Sequence, residues 1–296
     1  MAASFTLGLL QLRANADGGD RLEDGVRAIR EAAAQGAQIC VLPELFRSPY
    51  FCQEMETKHF ALAEPIPGPG TRRLGQVAAE CGVVVVGSLF ERAGVGVYFN
   101  TAVVLDADGT LLGKYRKLHI PQDPLYAEKF YFTPGDLPPQ VFKTRFGKVG
   151  VLVCWDQWYP EVARLLALQG AEVIVYPTAI GSIDSEPAEE HARQLDAWQT
   201  VQRGHAIANG VFVAAVNRVG REGGIDFWGH SFAVGPLGEW LVDASQTHAE
   251  LQIVHCDRDR QAEVRNIWPF FRDRRIDAYA GIDRRFAASN DDEPQG

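Results

Sequence analysis

Strand-like apolar runs alternate with helix-like stretches along this chain. Over residues 20–35, Leu22, Val26, Ile29 and Ala33 recur at steps of three and four, which predicts a helix with one buried face, closed by Gly36. Short apolar runs predict strands over 5–12, 39–42, 83–87, 99–105, 111–116, 148–154, 173–176, 211–217, 232–235 and 251–256. Val83, Val84, Val85 and Val86 stand consecutively, as expected of a strand buried on both faces. Further helices are predicted over 71–81, 159–168 and 191–208. Residues 99–105 and 111–116 read as a hairpin turning at Asp106-Ala107-Asp108-Gly109. The segment 119–139 carries Pro121, Pro124, Pro134 and Gly135 and has no period, and irregular segments of this length are often functional. Gly94 to Gly96 and Gly223-Gly224 lack any phosphate-loop pattern and read as turns.

This order of elements predicts α/β layers. With no fixed-period repeat and no internal low-complexity linker, one domain is expected over 1–280. The tail 281–296 is expected to be partly disordered because its end is small, polar and acidic.

Composition narrows the function classes. Apolar residues make up 46% of the 296 positions, enough for a core that needs no disulfide or metal staple. A net charge of −9 repels phosphate backbones and anionic membranes, so neither nucleic acid nor a membrane is expected as partner. The five cysteines are widely spaced, with no CxxC or Cys/His pairing of metal-ligand type, so no metal site is expected and a reducing cytoplasm fits. The first twelve residues have no basic leader and read as a strand rather than a signal peptide. No apolar run approaches the roughly 18 residues of a membrane span.

Three predicted strands end in a chemically capable residue: Glu44 after Val41-Leu42-Pro43, Lys117 after Tyr115-Arg116, and Cys154 after 149–153. In open α/β sheets, ligands gather outside the carboxyl ends of strands, so a carboxylate, an ammonium and a thiol delivered there can form one constellation. Taken singly, the signals are bland. A cysteine ending an apolar strand is as a rule an inert thiol, and a lone Glu or Lys there a solvated charge.

Their contexts carry more. V-L-P-E-L-F at 41–46, K-Y-R-K-L-H-I-P at 114–121 and G-V-L-V-C-W-D-Q-W-Y-P-E at 150–161 occur in that order. Together they resemble the nitrilase superfamily of carbon–nitrogen hydrolases, over about residues 5–276. Within it the chain is most similar to the N-carbamoylputrescine amidases, through Y-F-C-Q at 50–53, Y-A-E-K-F-Y-F-T-P-G-D at 126–136, Y-P-T-A-I-G-S at 176–182, Q-R-G-H-A-I-A-N at 202–209 and N-R-V-G at 217–220.

The resemblance implies a four-layer α-β-β-α sandwich, no cofactor, a homodimer or larger homo-oligomer, and a small-molecule N-carbamoyl amine or amide as substrate. Ile267-Trp268-Pro269-Phe270-Phe271 fits an arm laid across a neighbour, or packing at home. It also implies covalent catalysis. Glu44 takes the proton of Cys154 and returns it to the leaving amine. Lys117 and the backbone N–H of Trp155 hold the oxyanion, and Glu128 orients Lys117 or the substrate nitrogen. A Cys–His reading with His119, His205 or His230 is disfavoured, because the surroundings of Cys154 do not resemble those of papain-like proteases.

Substrate choice follows from what surrounds the nucleophile. No arginine follows Cys154, and Asp156 is expected to repel a substrate carboxylate, which favours a neutral or cationic tail. Tyr50, Phe130 and Trp155 are expected to wall an apolar slot. Asp184 and Glu186 are expected to meet an ammonium, because Ile183 stands where the family has glutamate directly after I-G-S. The expected reaction converts N-carbamoylputrescine to putrescine, carbon dioxide and ammonia, a step of polyamine biosynthesis. Another amidase of the superfamily, or a non-catalytic interaction subunit, are the alternatives.

Overall fold

The computed structural model describes residues 3–286. Residues 287–296, most of the tail expected to be disordered, lie outside the described residues. In chain order the elements are β1 (Ser4–Gln11), α1 (Leu22–Ala34), β2 (Ile39–Val41), α2 (Pro69–Cys81), β3 (Val84–Gly94), β4 (Val97–Leu105), β5 (Leu111–Arg116), β6 (Val141–Lys143), β7 (Lys148–Val151), α3 (Pro160–Leu168), β8 (Val173–Pro177), β9 (Gly181–Ile183), α4 (Ala188–Asn209), β10 (Phe212–Val216), β11 (Val219–Glu222), β12 (Ile225–Trp228), β13 (Phe232–Val234), β14 (Trp240–Asp243), β15 (Glu250–Asp257) and α5 (Arg258–Ile267).

Two six-stranded sheets result, ordered β15-β1-β2-β3-β4-β5 and β14-β13-β10-β8-β7-β6. Each has three parallel strands at its centre, β1-β2-β3 in one and β7-β8-β10 in the other, flanked by antiparallel strands. Strand alternation builds the layers. Leu7, Leu9, Ile39, Val41, Val84 and Val86 face the second sheet, where they pack with Val149, Val151, Val173 and Val175. Their neighbours Leu10, Cys40, Leu42, Val83 and Val85 face α1 and α2 and pack with Val26, Ile29, Leu74 and Val77. The valine run is buried on both faces because one face meets a sheet and the other a helix. With α3 and α4 on the outer side of the second sheet, the architecture is the α-β-β-α sandwich.

Two features depart from the sequence expectation. The strand expected to reach Cys154 stops at Val151, and a 3-10 turn, Cys154–Trp158, follows it. A small third sheet, β11-β12-β9, lies outside the predicted strands. Its members have three or four residues, too few to show a period. No helix among the described residues is long and apolar enough to cross a membrane.

Candidate active site

Because β5 runs parallel to β3, the strands β2 and β5 end on the same side of their sheet. Glu44 and Lys117 follow those ends, and both side chains are fully buried. Lys117 Nζ donates to Glu44 Oε1 at 2.8 Å and to Glu128 Oε2 at 2.6 Å. Its backbone is pinned from both sides: Lys117 N–H donates to Asn100 O at 2.9 Å, and Gly135 N–H donates to Lys117 O at 2.8 Å. A Cβ on Gly135 would stand 2.1 Å from Arg116 O, so only glycine permits that approach.

Asn100 holds Glu44 as well, its Nδ2 donating to Oε1 at 2.6 Å while Ser88 Oγ donates to its Oδ1 at 3.1 Å. Glu44 Oε2 is buried with no hydrogen-bond partner among the described residues. One oxygen of this carboxylate is fixed by cation and amide, and the other is free to accept a proton.

Cys154 opens its turn with φ 41°, a left-handed conformation unusual for a side chain larger than glycine. Asp156 stabilises that turn: its carboxylate accepts from Val153 N–H at 3.0 Å, Tyr115 OH at 2.8 Å and His119 N–H at 3.0 Å. The thiol lies 3.9 Å from Ala179 O. Burial and the Glu44 carboxylate raise it well above the ordinary range, against the pull of Lys117, so the resting sulfur is protonated. Attack on a carbonyl therefore requires the proton to leave as the bond forms, and a buried carboxylate oxygen without a partner suits that transfer.

Two carboxylates share one ammonium here, leaving a surplus negative charge in a dry place. Burial pushes the Glu128 carboxyl up to about 7, with Lys117 pulling down and Glu44 pushing up. Burial alone would lower Lys117, but Glu128 and Glu44 overcome it and hold the ammonium charged. Tyr50 OH donates to Glu128 Oε1 at 2.7 Å and, raised by burial and by Glu128, stays a proton donor.

The folded Glu128 binds its proton more tightly than the unfolded chain does. Its contribution to stability is therefore full below the ordinary 4.5 and lost as pH rises through about 7. Melting curves of Glu128→Gln, which cannot titrate, should show this as a stability difference from wild type that moves against the wild type between pH 4.5 and 7. A pH-independent difference would contradict the assignment.

A family model described as carbon-nitrogen hydrolase matches residues 6–266. The chain belongs to that family. This carbon–nitrogen hydrolase is 43% identical to the N-carbamoylputrescine amidase of Solanum lycopersicum, over 93% of each chain. It is 38% identical to a citrullinase of Francisella tularensis, over 96% of this chain and 100% of the other. A solved carbon-nitrogen hydrolase of Helicobacter pylori G27 superposes with a TM-score of 0.91 at 44% identity, covering 96% of this chain and 100% of that one.

The hydrolase has a cavity of about 360 Å3 beside Cys154, walled by Trp155, Tyr126, Trp158, Ile183 and Trp228. Among the described residues its charged lining side chains are Asp123, Glu128 and Glu186, with no arginine or lysine. Glu186 accepts from Gln194 Nε2 at 3.1 Å.

Several expected wall residues sit elsewhere. Tyr50 is buried behind Glu128 rather than on the wall. Phe130 lies outside the cavity, 38% exposed, packed 5.9 Å from the Phe60 ring and 4.9 Å from the Tyr131 ring. Asp184 points outward and is held by Arg221 Nη1 at 2.7 Å. Asp156 does not face the substrate, since its oxygens are spent on the nucleophile turn. The histidines have structural partners: His119 bonds Asp156 and stacks on Tyr159 at 3.5 Å, His205 bonds Gln157 O at 2.8 Å, and His230 bonds Asp243 at 3.0 Å. Sequence reasoning missed Asn100 and Ser88. The available signal was a polar residue within an apolar stretch: Ser88 after the valine run, and Asn100 between Phe99 and the apolar end of β4.

Proposed function

We propose that this hydrolase cleaves N-carbamoylputrescine to putrescine, carbon dioxide and ammonia through a covalent adduct on Cys154. Glu44 Oε2 takes the thiol proton as sulfur attacks the ureido carbon. The carbonyl electron pair moves to oxygen, where Lys117 Nζ and the Trp155 N–H stabilise it, each such donor being worth about 2.7–4 kcal/mol. Collapse breaks one C–N bond, and ammonia leaves with the proton returned by Glu44. Glu44 then takes a proton from water, whose oxygen attacks the same carbon. The C–S bond breaks as Glu44 returns that proton to the Cys154 sulfur, and the carbamate released loses carbon dioxide to give the free amine. Glu128, steadied by Tyr50, keeps Lys117 aimed at the reacting oxygen.

The observation that carries the substrate class is the charge of the cavity: carboxylates line it and no cation does among the described residues. A tetramethylene tail ending in ammonium fits apolar walls with Glu186 among them. A substrate carboxylate would lie desolvated with no arginine or lysine of the lining to pair it, which is costly. The likeness to N-carbamoylputrescine amidases supports the same substrate. The likeness to a citrullinase favours a second reading, a carbamoyl compound whose tail carries both charges.

Ammonia release from N-carbamoylputrescine, citrulline, N-carbamoyl-β-alanine and the uncharged isostere pentylurea separates these readings. The putrescine derivative should be turned over at least about tenfold more efficiently than pentylurea, since one charge-assisted hydrogen bond is worth about 1.5–3 kcal/mol. Glu186→Gln should erase that preference by raising KM, and Asp184→Asn should leave it intact. Faster turnover of citrulline would replace the first reading with the second.

A further inference from the structure

Arg218, directly before β11, is a buried guanidinium that touches none of the acid, base or thiol side chains above. Its Nη2 donates to the main-chain oxygens of Glu44 at 3.0 Å, Leu45 at 2.7 Å and Ser48 at 3.2 Å, and its Nε donates to Glu44 O at 3.3 Å. Those carbonyls belong to the turn that carries the base, and Leu45 in that turn has φ 47°, a conformation that must be held from outside. Glu222, also buried, pairs with Arg218 Nη1 at 3.3 Å, and its carboxylate accepts from Asn15 N–H at 2.6 Å and from Tyr50 N–H. Tyr50 in turn bonds Glu128. The Arg218–Glu222 pair thus grips the backbone behind Glu44, and through Tyr50 it also anchors the hydroxyl that holds Glu128. Next to it, Asn217 Nδ2 donates to Ile180 O at 2.9 Å, on the cavity wall.

We propose that Arg218, locked by Glu222, is a positioning residue that fixes the Glu44 turn so that Oε2 meets the proton of Cys154. The proposal rests on Glu44 being the base. A guanidinium suits the task because its planar fork reaches several carbonyls at once, whereas a lysine ammonium offers a single point. A carboxylate displaced by a fraction of an ångström still binds its cation but accepts the thiol proton poorly. The signature is therefore on proton transfer rather than on substrate affinity.

The test is Arg218→Lys in the full chain, with Glu222→Gln as the milder variant and Glu44→Gln as control. The readouts are kcat and KM per mole of folded protein, and the rate at which iodoacetamide alkylates Cys154, followed by mass spectrometry. For Arg218→Lys, kcat should fall roughly tenfold to a hundredfold, the cost of about 1 Å of misplacement. KM should stay within about twofold, and alkylation should slow in the same proportion as kcat. Glu222→Gln should show a smaller change of the same kind, and it decides the matter if Arg218→Lys does not fold. A kcat that stays unchanged, or falls while alkylation keeps its rate, overturns the positioning role. An active Glu44→Gln overturns the assignment of the base itself, a different failure.

Discussion

Cys154→Ala will lower ammonia release by roughly 10^5-fold or more, with the fold intact, because only binding and oxyanion stabilisation survive the loss of a nucleophile. The thiol is buried, so the substitution removes a single sulfur from a site already bordered by an open cavity, and the melting temperature should move little. Cys154→Ser is the sharper variant. It keeps a nucleophile of similar size, but a hydroxyl gives up its proton far less readily than a thiol. The serine variant should therefore be nearly as inactive as the alanine variant, yet able to bind substrate without turning it over. Turnover by either variant above about a percent of wild type would remove Cys154 from the mechanism. Mass spectrometry of wild type quenched during turnover should show an adduct on the peptide carrying Cys154, absent from both variants.

Why that cysteine stands out in the sequence while its surroundings do not is a matter of range. An apolar run and the residue that closes it are set by immediate neighbours, so the strand through Val83 to Val86 and the endings at Glu44 and Lys117 are written locally. The contact of Lys117 with Glu128 is also near in sequence, eleven residues apart, from the end of β5 into the irregular segment that follows. Side-chain direction within such segments is decided by distant partners. Phe130 turns outward because Phe60 and Tyr131 receive it, and Asp184 turns outward because Arg221, thirty-seven residues away, pairs with it. Tyr50, expected on the wall, is drawn inward by a carboxylate seventy-eight residues distant. The strand expected to reach Cys154 ends early because Asp156 folds back on Val153 and ties the turn to Tyr115 on the other sheet. The same contact removes Asp156 from any part in selecting substrate charge, a part that its place two residues after the nucleophile suggests when only the sequence is considered.

Lys117→Met should damage activity and stability together, and the two can be pulled apart. For activity, the loss of a charged oxyanion donor costs about 10^2–10^3 in kcat, and Glu44 loses the cation that fixes its Oε1, so at least about a thousandfold is expected. For stability, methionine fills the space but leaves Glu44 and Glu128 buried without their shared charge, a change worth roughly 3–5 kcal/mol when one partner of a buried ion pair is removed. The pH dependence identifies the cause. Glu128, already pushed up to about 7 by burial with Lys117 opposing, loses its main opposing charge and must rise further. A carboxyl raised in the folded state supports the fold while protonated and loses that support as pH rises. The variant should therefore melt close to wild type near about pH 5 and progressively lower toward about pH 8. Adding Glu128→Gln to Lys117→Met should flatten that slope by replacing the titrating group with a neutral amide, and restore part of the stability. It should restore no turnover, because neither methionine nor glutamine supplies a cation to the reacting oxygen. Recovery of activity along with stability would mean that Lys117 acts on the fold alone, and that another group holds the oxyanion.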